Sequence, residues 1–232
     1  MEVNGRTVRE LGTRAQPEVD DIRVDGRRLP QPARRHILLY KPRGYVSTRS
    51  DPQKRPTVID LLERAKIRGY FYPVGRLDYD SEGLLILTND GAFAERLMHP
   101  RYGLERTYEA RVLGVPAEKA LDRLRRGITL EGQRTQPARI ELRHVSEGKG
   151  RGGAVVDIVL TEGRNRQVRR MFEAVGHPVQ KLTRVRIGPI GIGALRPGDM
   201  RELTAREIAQ LTSGSPSRTA PDARRRPQTR RS

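Results

Sequence analysis

The chain contains no cysteine, and this absence excludes several kinds of chemistry. Without a thiol, the protein cannot form a disulfide, use a thiolate nucleophile or bind zinc through sulfur. Histidine is also scarce, because only four are present and none is paired with another at metal-ligand spacing. We therefore expect no metal site and no other cofactor.

Long apolar runs are missing as well. No stretch of 18 apolar residues is present that could span a bilayer, and the N-terminus lacks the apolar core of a signal peptide. We expect a soluble cytoplasmic protein. Its 232 residues, 35% of them hydrophobic, are enough for one sizeable core or two modest ones.

The charge is strongly unbalanced, with 46 Lys and Arg against 28 Asp and Glu and a net charge of +18. Such an excess favours a polyanionic partner, because each neutralised phosphate releases counterions. Residues 213–232 are rich in Arg and almost devoid of large apolar side chains, which predicts a disordered tail. This tail could be a loose electrostatic arm for RNA or a solvated extension without a specific role.

The order of alternating and helical patterns predicts an α+β protein. Near the N-terminus, Asn4-Gly5 and Asp25-Gly26 are tight-turn signals within short strand-like pieces, and a Pro-rich linker follows at 30–35. Beyond it, strands interleave irregularly with few helices, which favours a mixed sheet over a doubly wound parallel one. We predict strands at 36–41, 45–49, 70–77, 84–88, 106–113, 138–145 and 153–163, short strands and turns at 183–204, and helices at 57–66, 91–98, 117–126, 165–175 and 205–211.

Residues 75–83, GRLDYDSEG, hold three carboxylates at alternate positions: Asp78, Asp80 and Glu82. This spacing matches the first half of a calcium loop. The twelfth position of that loop should be a bidentate Glu but is Asn89, and the flanking segments are strand-like rather than helical. We therefore reject the calcium site. Two interpretations remain, a polar turn between strands or a turn that exposes a catalytic carboxylate.

Residues 162–171, EGRNRQVRRM, hold four arginines at the start of a predicted helix. A carboxylate that acts as a nucleophile in a partly buried site needs a nearby cation to stay ionised. Arg164, Arg166, Arg169 or Arg170 could supply this charge. The same cluster could instead bind RNA phosphates.

Several ordered motifs lie between residues 36 and 211: YKPRGYVST (40–48), YPVGRLDYDSEGLLILTNDG (72–91), LMHPRY (97–102), RTYEARV (106–112), LTEGRNRQVRRMFEAVGHPV (160–179) and LTRVRIGPI (182–190). Together they resemble the bacterial ribosomal pseudouridine synthases, in the branch that holds type A for the small ribosomal subunit together with types B, E and F for the large one, and the likeness is greater to type B. The resemblance implies a mixed, largely antiparallel sheet with a central active-site cleft over residues 34–212. Residues 1–33 resemble only the later part of an S4-like RNA-binding domain, so we expect a truncated S4-like segment there.

The resemblance also implies a role for individual residues. Asp78 matches the catalytic aspartate, and Tyr108 matches the tyrosine that stacks on the target base and can take part in proton transfer. Arg169 matches the basic residue that pairs with the aspartate, and Arg76 matches a residue that fills the space of the flipped nucleotide. We predict further RNA contacts from seven residues of the matched motifs: Lys41, Arg43, Arg164, Asn165, Arg166, Gln167 and Arg170.

The implied reaction is the isomerisation of uridine to pseudouridine in ribosomal RNA by a monomer, in 23S rRNA or in an assembly intermediate of the large ribosomal subunit. The carboxylate can attack C1′ or C6 of the nucleotide or assist a glycal intermediate, and the sequence leaves these routes open. For Asp80 and Glu82 the resemblance implies no catalytic role, and we expect them to shape the turn into the next strand. A competing hypothesis is a non-catalytic RNA-binding or ribosome-assembly factor that keeps the fold.

Overall fold

The structure is a computed structural model, and it describes residues 1–10, 12–13, 15, 20–30, 33–146 and 152–213. The chain divides into two compact units, Met1–Arg34 and a second unit that begins at Arg35. The predicted disordered tail, apart from its first residue, and the centre of the predicted Pro-rich linker lie outside the described residues. Among those residues, no helix is long and apolar enough to cross a membrane.

The first unit is a small antiparallel sheet built from two hairpins, with strand order β2-β1-β3-β4. Its turns are the predicted Asn4-Gly5 and Asp25-Gly26 pairs, and all four residues have positive φ, from 50° to 76°. Positive φ at both central residues is the geometry that such dipeptides favour in tight hairpins. The S4-like character of this unit stays a prediction. Its strands are β1 (Glu2–Val3), β2 (Arg6–Thr7), β3 (Ile22–Val24) and β4 (Arg27–Arg28).

The second unit is one large mixed sheet covered by helices. The strands are β5 (His36–Lys41), β6 (Tyr72–Val74), β7 (Glu82–Thr88), β8 (Arg106–Leu113), β9 (Thr129–Leu130), β10 (Gln133–Arg134), β11 (Arg139–Ser146), β12 (Gly153–Leu160), β13 (Val179–Ile187), β14 (Ile190–Gly191) and β15 (Met200–Glu202). The helices are α1 (Val58–Arg64), α2 (Gly91–Met98), α3 (Glu118–Arg125), α4 (Gln167–Glu173) and α5 (Ala205–Thr212), with a 3-10 turn at Pro100–Tyr102.

The strand order of the main sheet is β11-β12-β8-β13-β7-β5-β15, with β14 added beside β13 and β6 beside β7. Neighbouring strands in this sheet run antiparallel, except that β13 and β7 run parallel. A separate hairpin joins β9 and β10. The prediction of a mixed, largely antiparallel sheet is therefore confirmed.

The parallel junction of β7 and β13 is short, and a glycine permits it. Its register consists of two pairs, Thr183 with Glu82 and Arg184 with Gly83. Gly83 has a φ of 110°, and a Cβ added there would lie 2.3 Å from the carbonyl oxygen of Arg184. The strands can approach this closely because no side chain lies between them. The start of β7, directly after residues 75–81, is thereby placed in the middle of the sheet.

Three hydrophobic clusters stabilise the second unit. One packs α3 and α4 against β8, β11 and β12 and includes Leu121, Val156 and Phe172. The other two cover opposite faces of β5 and β7, because successive side chains of a strand point to opposite sides. Leu38 packs on one face with α2 and α5, and Leu39 packs on the other with α1. Burial on both faces explains why HILLYK and LLILT are almost continuously apolar.

Two of the predicted strands differ most from the structure, and the strand predicted at 153–163 ends at Leu160. Residues 45–49 form no strand, and only Val46 makes an isolated bridge, to Thr57. The predicted strand at 70–77 is shortened to β6, because Gly75 has a φ of 78° and the chain turns there. Both of these segments lie beside Asp78. Their backbone groups support the loop that carries Asp78 instead of pairing with a neighbouring strand.

Two further boundaries were also predicted wrongly. Helix α4 begins at Gln167 instead of 165, because Arg166 adopts the left-handed conformation with φ 49° and ψ 31°. The segment predicted as short strands and turns contains most of β13, which is nine residues long. Two of the helices begin at capping side chains, since the side chain of Asp90 accepts from the amide of Phe93 and Thr204 forms a capping box with Glu207.

Candidate active site

Asp78 lies on the turn that joins β6 to β7. The amide of Ser81 donates to the carbonyl oxygen of Asp78 over 3.1 Å and closes this turn. The side chain of Asp78 is 28% exposed. Its carboxylate is therefore accessible to a substrate and still partly shielded from water, as a nucleophile requires.

The segment predicted as a strand at 45–49 and the turn before it hold this loop in place. The hydroxyl of Ser47 donates to the carbonyl oxygen of Leu77 over 2.9 Å and accepts from the amide of Leu77 over 3.1 Å. The amide of Gly44 donates to the carbonyl oxygen of Tyr79 over 2.8 Å. The residues on both sides of Asp78 are thus fixed, which limits the positions that its carboxylate can take.

Lys41, which was predicted to contact RNA, supports the same loop from within the protein, and its ammonium group is not accessible in this structure. It is fully buried, and its Nζ donates to the carbonyl oxygens of Pro42 (3.0 Å), Asp78 (3.1 Å) and Ser81 (2.7 Å). These three bonds use all the donors of an ammonium group. Burial lowers the pKa of Lys41 to about 8, although the charge of Asp78 acts in the opposite direction.

Two arginines of the cluster at 164–170 reach the loop. Nη1 of Arg166 lies 3.9 Å from Oδ2 of Asp78 and 3.1 Å from Oδ1 of Asp80. Nη2 of Arg169 lies 3.2 Å from Oδ2 of Asp80 and donates to the carbonyl oxygen of Asp80 over 3.1 Å. The predicted direct pair between Arg169 and Asp78 is therefore not formed in the structure, because the guanidinium of Arg169 is bound to Asp80 and to the carbonyl oxygen of Val179 (3.0 Å).

Asp80 does more than shape the turn, because it binds both arginines. Burial acts to raise the pKa of Asp80, but the hydrogen bond from Arg166 and the charges of Arg169 and Arg166 outweigh it, and the pKa is lowered. The hydrogen bond to Asp80 raises the pKa of Arg166, whereas burial lowers the pKa of Arg169. At neutral pH the cluster therefore consists of two guanidinium groups held by an ionised carboxylate.

Tyr108 lies on β8, opposite Arg184 of β13 in the sheet. Arg184 is 2% exposed, and its Nη1 lies 3.5 Å from both the hydroxyl of Tyr108 and the carbonyl oxygen of Arg76. Its Nε donates to the carbonyl oxygen of Leu84 over 2.6 Å. Arg184 thus connects the tyrosine to the loop that carries Asp78. It was missed in the sequence, although a charged residue inside an apolar strand is a signal for such a role.

Glu82 is a second buried charge at the junction of β7 and β13. Its Oε1 accepts from the hydroxyls of Tyr40 (3.0 Å) and Thr183 (3.2 Å) and pairs with Nζ of Lys181 (2.8 Å). Burial acts to raise the pKa of Glu82, but the bonds from Lys181 and Tyr40 outweigh it and lower the pKa. These contacts join three neighbouring strands next to the loop. Across the described ranges, no group of three or more His, Cys, Asp or Glu residues is placed to hold a metal ion.

The other residues that were predicted to contact RNA differ in their exposure to solvent. Arg43, Arg76, Asn165 and Arg166 are exposed, so their side chains are accessible to a polyanion. Gln167 is buried, and this contradicts its predicted contact with RNA. Its Nε2 donates to Glu162 over 2.6 Å, and its Oε1 accepts from the amide of Arg164 over 3.0 Å, so both ends of the amide are used inside the protein.

Arg164 and Arg170 are only partly exposed and also bind within the protein. Arg164 pairs with Glu162 over 3.2 Å and donates to the carbonyl oxygen of Arg134 over 2.6 Å. Nη2 of Arg170 pairs with Glu131 over 2.9 Å. Both guanidinium groups therefore tie the start of α4 to the hairpin of β9 and β10, which leaves them less available for RNA than Arg43.

The mixed sheet thus carries a fixed, partly exposed aspartate near its centre, with a tyrosine and arginines around it. A family profile described as RNA pseudouridylate synthase matches residues 35–174. The chain belongs to this family. The predicted family is thus confirmed, and the protein is an isomerase that converts uridine to pseudouridine in RNA.

Individual relatives agree with this assignment. The chain is 44% identical over 211 residues to ribosomal large subunit pseudouridine synthase B of Bacillus subtilis, and the match covers 91% of this chain and 84% of that protein. It is 40% identical over 219 residues to the protein of the same name from Pseudomonas aeruginosa, and this match covers 91% of this chain and 55% of that longer protein. A crystal structure of a pseudouridylate synthase superposes with a TM-score of 0.67 at 30% identity, over 90% of this chain and 87% of that one.

Proposed function

We propose that the protein isomerises a specific uridine of ribosomal RNA, in the 23S rRNA of the large subunit, with Asp78 as the nucleophile. The observation that carries the proposal is the placement of Asp78. Its carboxylate is 28% exposed on a turn whose backbone is fixed on both sides, with the guanidinium of Arg166 3.9 Å away. The names of the Bacillus and Pseudomonas relatives support large-subunit RNA as the substrate.

The reaction requires four changes in the nucleotide. The N1–C1′ bond breaks, the base rotates, a C5–C1′ bond forms, and the proton lost from C5 is balanced by a proton gained at N1. Asp78 assists the first step by attack at C1′ or C6 or by stabilising a glycal intermediate. Arg166 and Arg169 offset the negative charge of Asp78 and Asp80 during this step.

The target uridine must leave its base stack before Asp78 can reach it. Tyr108 is partly exposed on the strand beyond Arg184, and its ring can stack on the extruded base. Arg76 is exposed two residues before Asp78 and can occupy the space that the base leaves. The net charge of +18 and the exposed Arg43 supply attraction to the RNA backbone. We expect a cytoplasmic monomer in which the S4-like segment adds RNA contacts.

Replacing Asp78 with Asn tests the proposal, because the change removes the charge and keeps the shape. We expect pseudouridine formation in 23S rRNA transcripts, measured by carbodiimide mapping, to fall at least about 1,000-fold. RNA affinity should change less than about threefold, since the contacts to phosphates remain. Asp122→Asn is the control, because it removes an exposed carboxylate that pairs with Arg125 over 2.7 Å on α3.

Two outcomes would contradict the proposal. A fully active Asp78→Asn variant would show that another group is the nucleophile. A wild-type protein that binds rRNA tightly and modifies no uridine in it would support the alternative of a non-catalytic assembly factor.

A further inference from the structure

We propose that Asp80 is a positioning residue of this site: its carboxylate holds the guanidinium of Arg166 beside Asp78. The inference rests on the proposed role of Asp78 and adds a second carboxylate to the site, one that acts through an arginine and not on the substrate. On this inference, Arg166 supplies the positive charge next to Asp78, and Arg169 anchors Asp80.

The first observation is the geometry of the Asp80–Arg166 pair. Nη1 and Nη2 of Arg166 donate to Oδ1 and Oδ2 of Asp80 over 3.1 and 3.3 Å, which is a bidentate arrangement. The same Nη1 lies 3.9 Å from Oδ2 of Asp78, too far for a hydrogen bond. Asp80 therefore sets the orientation of the guanidinium, and Asp78 receives its charge without being bound by it. A carboxylate that the guanidinium does not bind keeps its lone pairs available for attack.

The second observation is that Arg166 needs to be held. Its side chain is 45% exposed, whereas that of Arg169 is 11% exposed. A long exposed side chain samples many rotamers unless a partner restricts it. Arg169 is restricted by the carbonyl oxygen of Val179 on β13, but the hydrogen bonds of the Arg166 guanidinium go to Asp80.

The third observation is the backbone of Arg166. Its φ of 49° and ψ of 31° place a non-glycine residue in the left-handed region, directly before α4. This conformation is uncommon for such residues and persists only where the surroundings enforce it. The bidentate bond to Asp80 contributes to enforcing it here, because it fixes the far end of the same side chain, while the amide of Gln167 donates to the carbonyl oxygen of Arg164 over 3.2 Å and closes the turn around Arg166.

Asp80 is itself anchored to the sheet. Arg169 binds both its carboxylate, over 3.2 Å, and its carbonyl oxygen, over 3.1 Å. The charges therefore alternate along a connected series: Arg169 on α4, Asp80 on the loop, Arg166 at the start of α4, and Asp78. The series thus begins at the rigidly held Arg169 and ends at the proposed nucleophile, Asp78. This arrangement is expected where one group supports another in an active site.

Single-turnover kinetics at saturating enzyme can test this role, because the rate constant then no longer depends on RNA affinity. We expect Asp80→Asn to lower the rate constant about 100-fold, the typical cost of a displaced catalytic group. Its RNA affinity should stay within about threefold of wild type. Asp80→Glu keeps the charge and should recover part of the loss. Asp122→Asn serves again as the matched control and should keep the wild-type rate constant.

A double-mutant cycle with Arg166→Gln separates positioning from a structural effect. If Asp80 acts through Arg166, adding Asp80→Asn to Arg166→Gln should lower the rate constant by less than about threefold more, because the interaction is already lost. If Asp80→Asn does not fold, the same cycle is built with Asp80→Glu. Additive losses would overturn the inference, as would a loss confined to RNA affinity.

The test also distinguishes this inference from the proposed function. An active Asp78→Asn variant would overturn the assignment of the nucleophile and, with it, the role of Asp80. An inactive Asp78→Asn variant beside a fully active Asp80→Asn variant would overturn only the role of Asp80, which would then merely shape the turn.

Discussion

Replacing Gly83 with Ala should force apart the two strands that run parallel at the centre of the sheet. A Cβ at this position would lie 2.3 Å from the carbonyl oxygen, 2.5 Å from the amide nitrogen and 2.8 Å from the carbonyl carbon of Arg184. These are backbone atoms within β13, so they cannot rotate away as a side chain would. The φ of 110° adds a second penalty, because side chains are disfavoured in that region.

The two effects together set the expected magnitude. A strained backbone conformation costs about 1–3 kcal/mol, and inserting a methyl group into a packed interior costs about 1–3 kcal/mol. We therefore expect the free energy of unfolding to fall by about 4 kcal/mol. For a unit of this size, that corresponds to a decrease of roughly 8–16 °C in the unfolding midpoint. The loop that carries Asp78 precedes Gly83, so activity should fall as well.

Thermal unfolding followed by circular dichroism measures the change, with two glycines as controls. Gly193 has a φ of 58° and no atom within 4 Å of an added Cβ, so its Ala variant should show the backbone penalty alone. Gly163 has neither constraint, and its Ala variant should stay within about 0.5 kcal/mol of wild type. A Gly83→Ala variant that is no less stable than the Gly193→Ala variant would refute the steric argument.

Two further predictions concern buried and exposed charges. The pKa of Lys41 is about 8 in the folded protein against 10.5 ordinarily. Between these pH values the unfolded chain therefore binds more protons than the folded one. Lys41 should thus increase the free energy of unfolding by up to roughly 3 kcal/mol as pH rises from 8 to 10.5. Urea unfolding at pH 7.5 and 10 should show this increase for the wild type and not for Lys41→Met. An equal increase in the free energy of unfolding of the two proteins would contradict the prediction. Arg43→Ala should reduce the slope of log K against log salt for rRNA binding by about 1. Gln167→Ala, at a buried site, should leave that slope unchanged, and an equal effect of the two would contradict the assignment of Arg43 to the RNA surface.

Local sequence determined much of the fold. The turn at Asn4-Gly5 was predicted correctly, and the caps at Asp90 and Thr204 are equally local, because each depends on residues within a few positions of one another. The continuous apolar runs likewise predicted the strands β5 and β7, which the structure buries on both faces. Ordered motifs were enough to indicate the family and to single out Asp78.

Only the tertiary structure decided which charged residues are buried and what they bind. Lys41 and Gln167 are polar in sequence and were predicted to contact RNA, yet Nζ of Lys41 bonds Ser81 from 40 residues away and Gln167 is enclosed beside Glu162. Asp80 looked like a turn residue until Arg169, 89 residues further along, was found bound to it. Arg184 lies in the motif LTRVRIGPI but received no role from the sequence, although it bonds Leu84 from 100 residues away. Composition and spacing reveal the charge of a side chain, but the partners of Lys41, Asp80 and Arg184 depend on which distant segments meet beside Asp78, where β5, β7 and β13 are neighbours in the sheet.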